Sequence, residues 1–440
     1  MTKTDRAGLP VTGANDESLA AFEQAAHELR CLVDDPMATI DRAIAASPAM
    51  TMAHVLRAWL NLLGTEPAGL AAARASVATA RSLGGTERER LHAAAAALVA
   101  EGRWRDGARA PADLSATYPR DALALQAGHQ VVFFTVDSRM LRDRIARALP
   151  AWDRSIPGYH ALLGMHAFGL EECGDYAQAE REGRRSVELE PRDSWGWHAV
   201  AHVMEMRHLP REGIAWLGPN AATWSRGSFL GVHNWWHLAL FHLEEDRVDE
   251  VLRLYDQSIG GPGSSVVLDM VDQSAMLWRL ALRGIDVGTR WQPLADRWAP
   301  LASAGNYAFN DLHAMMAFVG AGRPSEQQQV LDAQRAAIEG QGDNVHFTRE
   351  VGHPATLAGQ AFGRGEYAQA VRLLRPIRST AHRFGGSHAQ RDVIDLTLIE
   401  AASRGGDEAL AAALAAERAA LRPESPLARR YVERSRVRAH

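Results

Sequence analysis

Gly174-Asp175-Tyr176-Ala177-Gln178-Ala179-Glu180 is the stretch on which the fold turns. A glycine turn leads into an aromatic residue and then into small residues at helical spacing, and Pro191 follows where the helix should end. The same order of residue types returns in Gly365-Glu366-Tyr367-Ala368-Gln369-Ala370. A looser copy runs Glu245-Asp246-Arg247-Val248-Asp249-Glu250-Val251, with Tyr255 one turn later. A recurring opening of this kind marks the second helix of a helix-pair repeat, where a small side chain lets two antiparallel helices approach closely.

Taking Ala179 as reference, the first helix of its unit starts near Pro157, and Ala167 occupies the close-packing position. Ala201 and Ala239 take that position in the next two units, close to but not locked on the roughly 34-residue period of tetratricopeptide repeats. The expected fold is all-α: an irregular tetratricopeptide-like solenoid of antiparallel helix pairs, either open or closed around a central pocket. Helices are expected near 17–32, 37–46, 50–63, 67–82, 87–101, 121–135 and 137–149, and again from 265 to 421. Gly260-Gly261-Pro262-Gly263 breaks the series. The expected organisation is a flexible segment over 1–16 and a single solenoid over 17–426. Its pocket-forming repeats fall at 157–320 and its C-terminal repeats at 350–426, and a basic tail follows at 427–440.

Working outward, composition removes several classes of function. A formal charge of -5 gives no global attraction to nucleic acid or anionic membrane. The arginines at 139, 142, 144 and 147 are interrupted by Asp143 and read as a solvated face. Gly320-Ala321-Gly322-Arg323-Pro324 lacks the lysine and preceding strand of a phosphate cradle. The most apolar runs, such as Ala93 to Ala100, are too short to span a bilayer. Cys31 and Cys173 form no disulfide framework and show no metal-type pairing in sequence, so a reducing, cytoplasmic setting is expected. The flat faces of Trp104, Trp152 and Trp298 leave a homodimer open.

The unusual entries are eighteen histidines and twelve tryptophans, and the histidines concentrate on the first helices of the central units. In Trp197-His198-Ala199-Val200-Ala201-His202-Val203-Met204-Glu205, the residues His198, His202 and Glu205 share one helical face. In His233-Asn234-Trp235-Trp236-His237 a second pair, His233 and His237, repeats the spacing with Asn234 beside it. Two stacked pairs are expected to present four imidazoles to one groove. Asp269 and Asp272 with Trp278, then Asn310, Asp311 and His313, and finally Gln390, Arg391 and Asp392 extend the polar series. Ser387 stands ready to cap that last helix. Trp236, Trp278 and neighbouring methionines would supply apolar walls, or helix–helix core.

Two chemistries fit such a set. In one, His198, His202, His233 and His237 hold a divalent metal, Zn or Fe. The missing internal glutamate between His198 and His202 excludes a zinc-peptidase helix. In the other, no metal is needed: histidine held by Glu205 or Asp272 is the general base, with Asp392 in the acid–base set. The residues His233, Asn234, Trp236, Asp269, Trp278, Asp311, His313, Gln390 and Arg391 would then bind substrate. The two readings stand level.

The segments Trp197 to Met206, His233 to Leu240, Leu268-Asp269-Met270-Val271-Asp272 with Met276-Leu277-Trp278-Arg279-Leu280, and Gly385-Gly386-Ser387-His388-Ala389-Gln390-Arg391-Asp392-Val393 resemble the signature segments of the tetratricopeptide repeat protein 38 family. The resemblance runs from the first helices to Leu427 and implies a cytoplasmic repeat protein; it assigns no catalytic residue. His388 departs from the uncharged polar residue expected there. The functional expectation is a small-molecule-binding repeat protein, an enzyme of hydrolase or other acid–base type acting in a concave pocket. The alternative is a non-catalytic scaffold that grips a peptide or partner protein.

Overall fold

Alanine-rich segments punctuated by glycine and proline fold as helix after helix. The computed structural model describes residues 2–135 and 137–438. Met1 and the last two positions of the expected tail, Ala439 and His440, lie outside the described residues, as does Val136. Among the described residues the protein is all-α apart from one antiparallel hairpin, Thr2–Thr4 with Pro10–Thr12, and an isolated bridge. Its helices pack as tetratricopeptide-like antiparallel pairs. No helix among the described residues is long and apolar enough to cross a membrane.

The chain divides into two compact units, residues 1–203 with 219–234, and residues 204–218 with 235–440. In the first, Asp16–Cys31 pairs with Pro36–Ala46, Thr51–Leu62 with Gly69–Leu83, and Glu87–Ala100 with Trp104–Thr117. Ala122–Thr135 then pairs with Ser138–Ala148, and Tyr159–Glu172 with Tyr176–Leu189. The reference small residues behave as their spacing predicts, since Ala167, Ala179 and Ala201 are fully buried. Gly183 shows why size matters: a Cβ there would lie 2.6 Å from the Val200 side chain.

In the second unit Val267–Leu282 packs on Trp291–Trp298 and Ala308–Gly320 on Pro324–Ile338. His353–Gly363 pairs with Tyr367–Ile377, and His388–Arg404 with Glu408–Leu421. Ser387 caps His388–Arg404 in a capping box with Gln390, as its position predicts.

Both expected loose ends carry regular structure among the described residues. Residues 2–12 form the hairpin because Val11 is buried, Thr12 donates to Glu89 through its N–H and hydroxyl at 2.8 and 2.7 Å, and Arg88 donates to the Pro10 carbonyl at 2.9 Å. At the other end Pro426–Arg438 is a helix where a tail is expected. It packs on Glu408–Leu421 through buried Leu427, Ala428 and Tyr431, and Arg434 pairs with Glu400 at 2.8 Å. The apolar 427, 428 and 431 positions form a helical stripe that the arginine count hides.

Candidate metal centre

The helix Ser194–Met206 begins on Asp193. One carboxylate oxygen of Asp193 accepts the N–H groups of Trp195 and Gly196, each at 3.1 Å. The other accepts the Ser186 hydroxyl at 2.8 Å and lies 2.7 Å from His160 Nδ1. This buried acid therefore fixes where the helix starts and docks it on two neighbours. His198 and His202 follow one turn apart on the same face.

His233 arrives by another route. Residues 219–234 return to the first unit through a bridge between Val33 and Ser228, and the Phe229 N–H donates to the Leu32 carbonyl at 2.8 Å. Ser228 and Ser194 share a hydroxyl hydrogen bond of 2.7 Å, so the start of Gly231–Glu244 is tied to the start of the His198 helix.

The result is a convergence of imidazoles. His198 Nε2 and His233 Nε2 are 3.0 Å apart, and His198, His202 and His233 each bring a ring nitrogen within 4.8 Å of the others. Glu171, at the end of Tyr159–Glu172, approaches His202 Nδ1 at 3.4 Å. Glu171, Glu172 and His202 form an overlapping group, their donor atoms also within 4.8 Å of one another. His198, His202 and Glu171 are almost fully buried, while His233 is partly exposed. Phe168 stacks on His198 at 5.4 Å and meets His202 edge-on at 5.1 Å, and Trp195 covers His198 at 4.8 Å.

Imidazole and carboxylate donors suit a borderline divalent cation. Two nitrogens bound to one tetrahedral zinc stand roughly 3.3 Å apart, given Zn–N bonds of about 2.0–2.1 Å. The 3.0 Å His198–His233 separation is close to that, and equally matches one N–H···N hydrogen bond between neutral rings. These clusters can coordinate a divalent metal on donor type and spacing.

Of the other expected site residues, all but Asn234 belong to the second unit. His237 follows His233 by one helical turn and belongs to the second unit, as do Trp236, Asp272 and His313, all buried. Asp392 is clamped by Arg418 through two bonds of 2.7 and 2.9 Å, and Glu205 pairs with Arg422 at 3.3 Å. Burial opposes ionisation of Asp392, but Arg418 and Arg422 outweigh it and hold the carboxyl well below the ordinary range. The cavity beside this network is only about 40 Å³, room for a water or two. Arg279, with its pKa pushed down to about 10 by burial, donates to the Ala389 carbonyl at 2.8 Å and lies over the Trp236 ring.

Asp269 accepts the Ser264 hydroxyl at 2.6 Å, and Trp278 donates to Thr397 at 2.9 Å. Arg391 donates to the Gly386 carbonyl, and the Gln390 side chain accepts the Ser387 N–H at 3.1 Å. His313 Nδ1 is 2.8 Å from the Phe309 carbonyl, and burial pushes its pKa down to about 4. Burial pushes Asp311 up to about 7, opposed by a hydrogen bond with Gln334. Asn234 is buried, its amide 3.4 Å from the Ser194 carbonyl.

Sequence spacing found the histidines and missed the side chains packed around them. Glu172 and Phe168 come from another helix, and only the packing of Tyr159–Glu172 brings them in, while Trp195 lies one turn before His198 on its own helix.

No family model matches the chain. Among solved structures it is similar to the crystal structure of the yeast Tom70, at 13% identity and a TM-score of 0.32, over 97% of this chain and 90% of that one.

Proposed function

We propose that the protein is a helical-repeat scaffold whose first unit binds a divalent transition metal on His198, His202 and His233, with zinc the best match to the donors. The convergence of three ring nitrogens within 4.8 Å, two of them 3.0 Å apart, carries the reading. Glu171 would orient His202 through Nδ1 and leave Nε2 for the ion. The burial of His198, His202 and Glu171 supports a metal that stiffens the scaffold.

A hydrolase built on Glu205 and Asp392 has less support, because arginines already neutralise both acids. Membership of the tetratricopeptide repeat protein 38 family belongs to the proposal and rests on the segments quoted above. Calorimetric titration of the full chain with zinc tests it. The expected result is a site present in wild type and lost in His202→Ala and in His233→Ala. Identical titrations of all three proteins would overturn it.

A further inference from the structure

A cleft of the first unit, about 450 Å³, lies away from the histidine triad. It opens between the N-terminal hairpin segment, the helix Asp16–Cys31 and the start of Tyr159–Glu172, and its wall includes His27, Arg30, His160 and Glu190. The volume is that of a small-molecule site.

Behind that wall sits a second group of metal-type donors. His27 and Cys31 are one turn apart on Asp16–Cys31, and His160 comes from the first turn of Tyr159–Glu172. Each offers a ligand atom within 4.8 Å of the other two. Cys31 is fully buried, with Sγ 3.9 Å from both ring nitrogens of His27. Asp193 occupies His160 Nδ1 at 2.7 Å, which fixes the ring and leaves Nε2 as the available donor, the usual arrangement of a carboxylate behind a metal-binding histidine. Beside the trio, Arg30 Nε is buried with no hydrogen-bonding partner among the described residues.

We propose that His27, Cys31 and His160 form a second zinc-class site whose open coordination position faces the cleft, where Arg30 receives the carboxylate of a small anionic ligand. Three protein donors and one open position are the arrangement of catalytic zinc sites, in contrast to closed four-ligand structural ones. Metal binding forms the Cys31–metal bond and releases the thiol proton to solvent. Burial raises the free thiol's pKa, and the ion offsets that by binding the thiolate. Arg30 would otherwise stand as a cation beside a cation, and an anion in the cleft satisfies both. Of the other arginines lining the cleft, Arg6 pairs with Glu23, Arg88 pairs with Asp121 and Arg120 donates to the Ala151 carbonyl, which leaves Arg30 to meet the ligand.

Cobalt substitution of the reduced full chain separates this site from the histidine triad, since only a thiolate ligand gives a near-ultraviolet sulfur-to-cobalt charge-transfer band. The band is expected in wild type, retained in His202→Ala and lost in Cys31→Ser and in His27→Ala. Acetate is expected to shift the visible cobalt bands, with apparent affinity about tenfold weaker in Arg30→Gln. Absence of the near-ultraviolet band in wild type, or its persistence in Cys31→Ser, would overturn the site. Visible bands unmoved by acetate would overturn the open position. Failure of the triad to bind zinc leaves these readings intact, because the charge-transfer band comes from Cys31 alone.

Discussion

The two units treat their ionisable side chains differently. In the second, Asp392, Arg418, Arg422 and Glu205 neutralise one another by direct ion pairs, and the space beside them holds little more than water. In the first, His198, His202 and His233 turn ring nitrogens toward a common point with a carboxylate behind. Acids that bring their own arginines are complete as folded. Imidazoles that converge on one point gain most from a shared cation. The difference separates a buried electrostatic brace from a candidate ligand site, although both look alike as lists of charged residues.

The comparison breaks most readily at Arg418. Arg418→Ala takes away both hydrogen bonds to the half-buried Asp392, leaving it Arg422 at 3.9 Å, and is expected to destabilise the second unit by about 2–4 kcal/mol, read as a lower urea midpoint. Removal with no shift in midpoint would mean the clamp is not a brace.

Asp311 sharpens the contrast, being a buried acid of the same unit whose carboxyl burial pushes up to about 7. Between the unfolded value near 3.8 and about 7 the folded state holds a proton that the unfolded state has lost, so stability falls as pH rises through that window. Asp311→Asn is expected to remove that slope, worth on the order of 2–4 kcal/mol between pH 4 and pH 8. Parallel urea curves for both proteins at every pH would contradict it.

Glu171→Gln tests the first unit's carboxylate. Zinc affinity is expected to fall by about 10–100-fold with the fold retained, as seen by competition with a chromogenic chelator. The smallest effect should come from Arg253→Ala, whose pair with Glu250 is largely exposed. A change within about 0.5 kcal/mol in urea unfolding is expected, which makes it the control for the buried clamp.

Most of the fold was legible because small residues at helical spacing leave a strong periodic signal, and Ala167, Ala179 and Ala201 pack where that signal puts them. Trp104–Thr117 is not among the expected helices, and it carries Gly107 and Pro111, the residue types least suited to a helix interior. Yet Gly107 is needed where a Cβ would stand 2.4 Å from the Val99 side chain, and Pro111 is buried within the helix. The 194–206 histidines were legible from their i, i+4 spacing. Their gathering with His233 depended on the Val33–Ser228 bridge and the Ser228–Ser194 hydrogen bond, and no local pattern announces contacts between residues so far apart. For the same reason Cys31 read as having no metal-type partners: His160, which joins it and His27, is more than a hundred residues on and is placed by Asp193.

Zinc-edge X-ray absorption on Cys31→Ser protein carrying one equivalent of zinc tests the central claim most directly, because it removes the thiolate site and reads the ligands of the other. The account predicts a shell of nitrogen and oxygen donors at about 2.0 Å with the scattering of three imidazoles, reduced to two in His233→Ala. Zinc that washes out, or a shell with fewer than two imidazoles before that substitution, would contradict it.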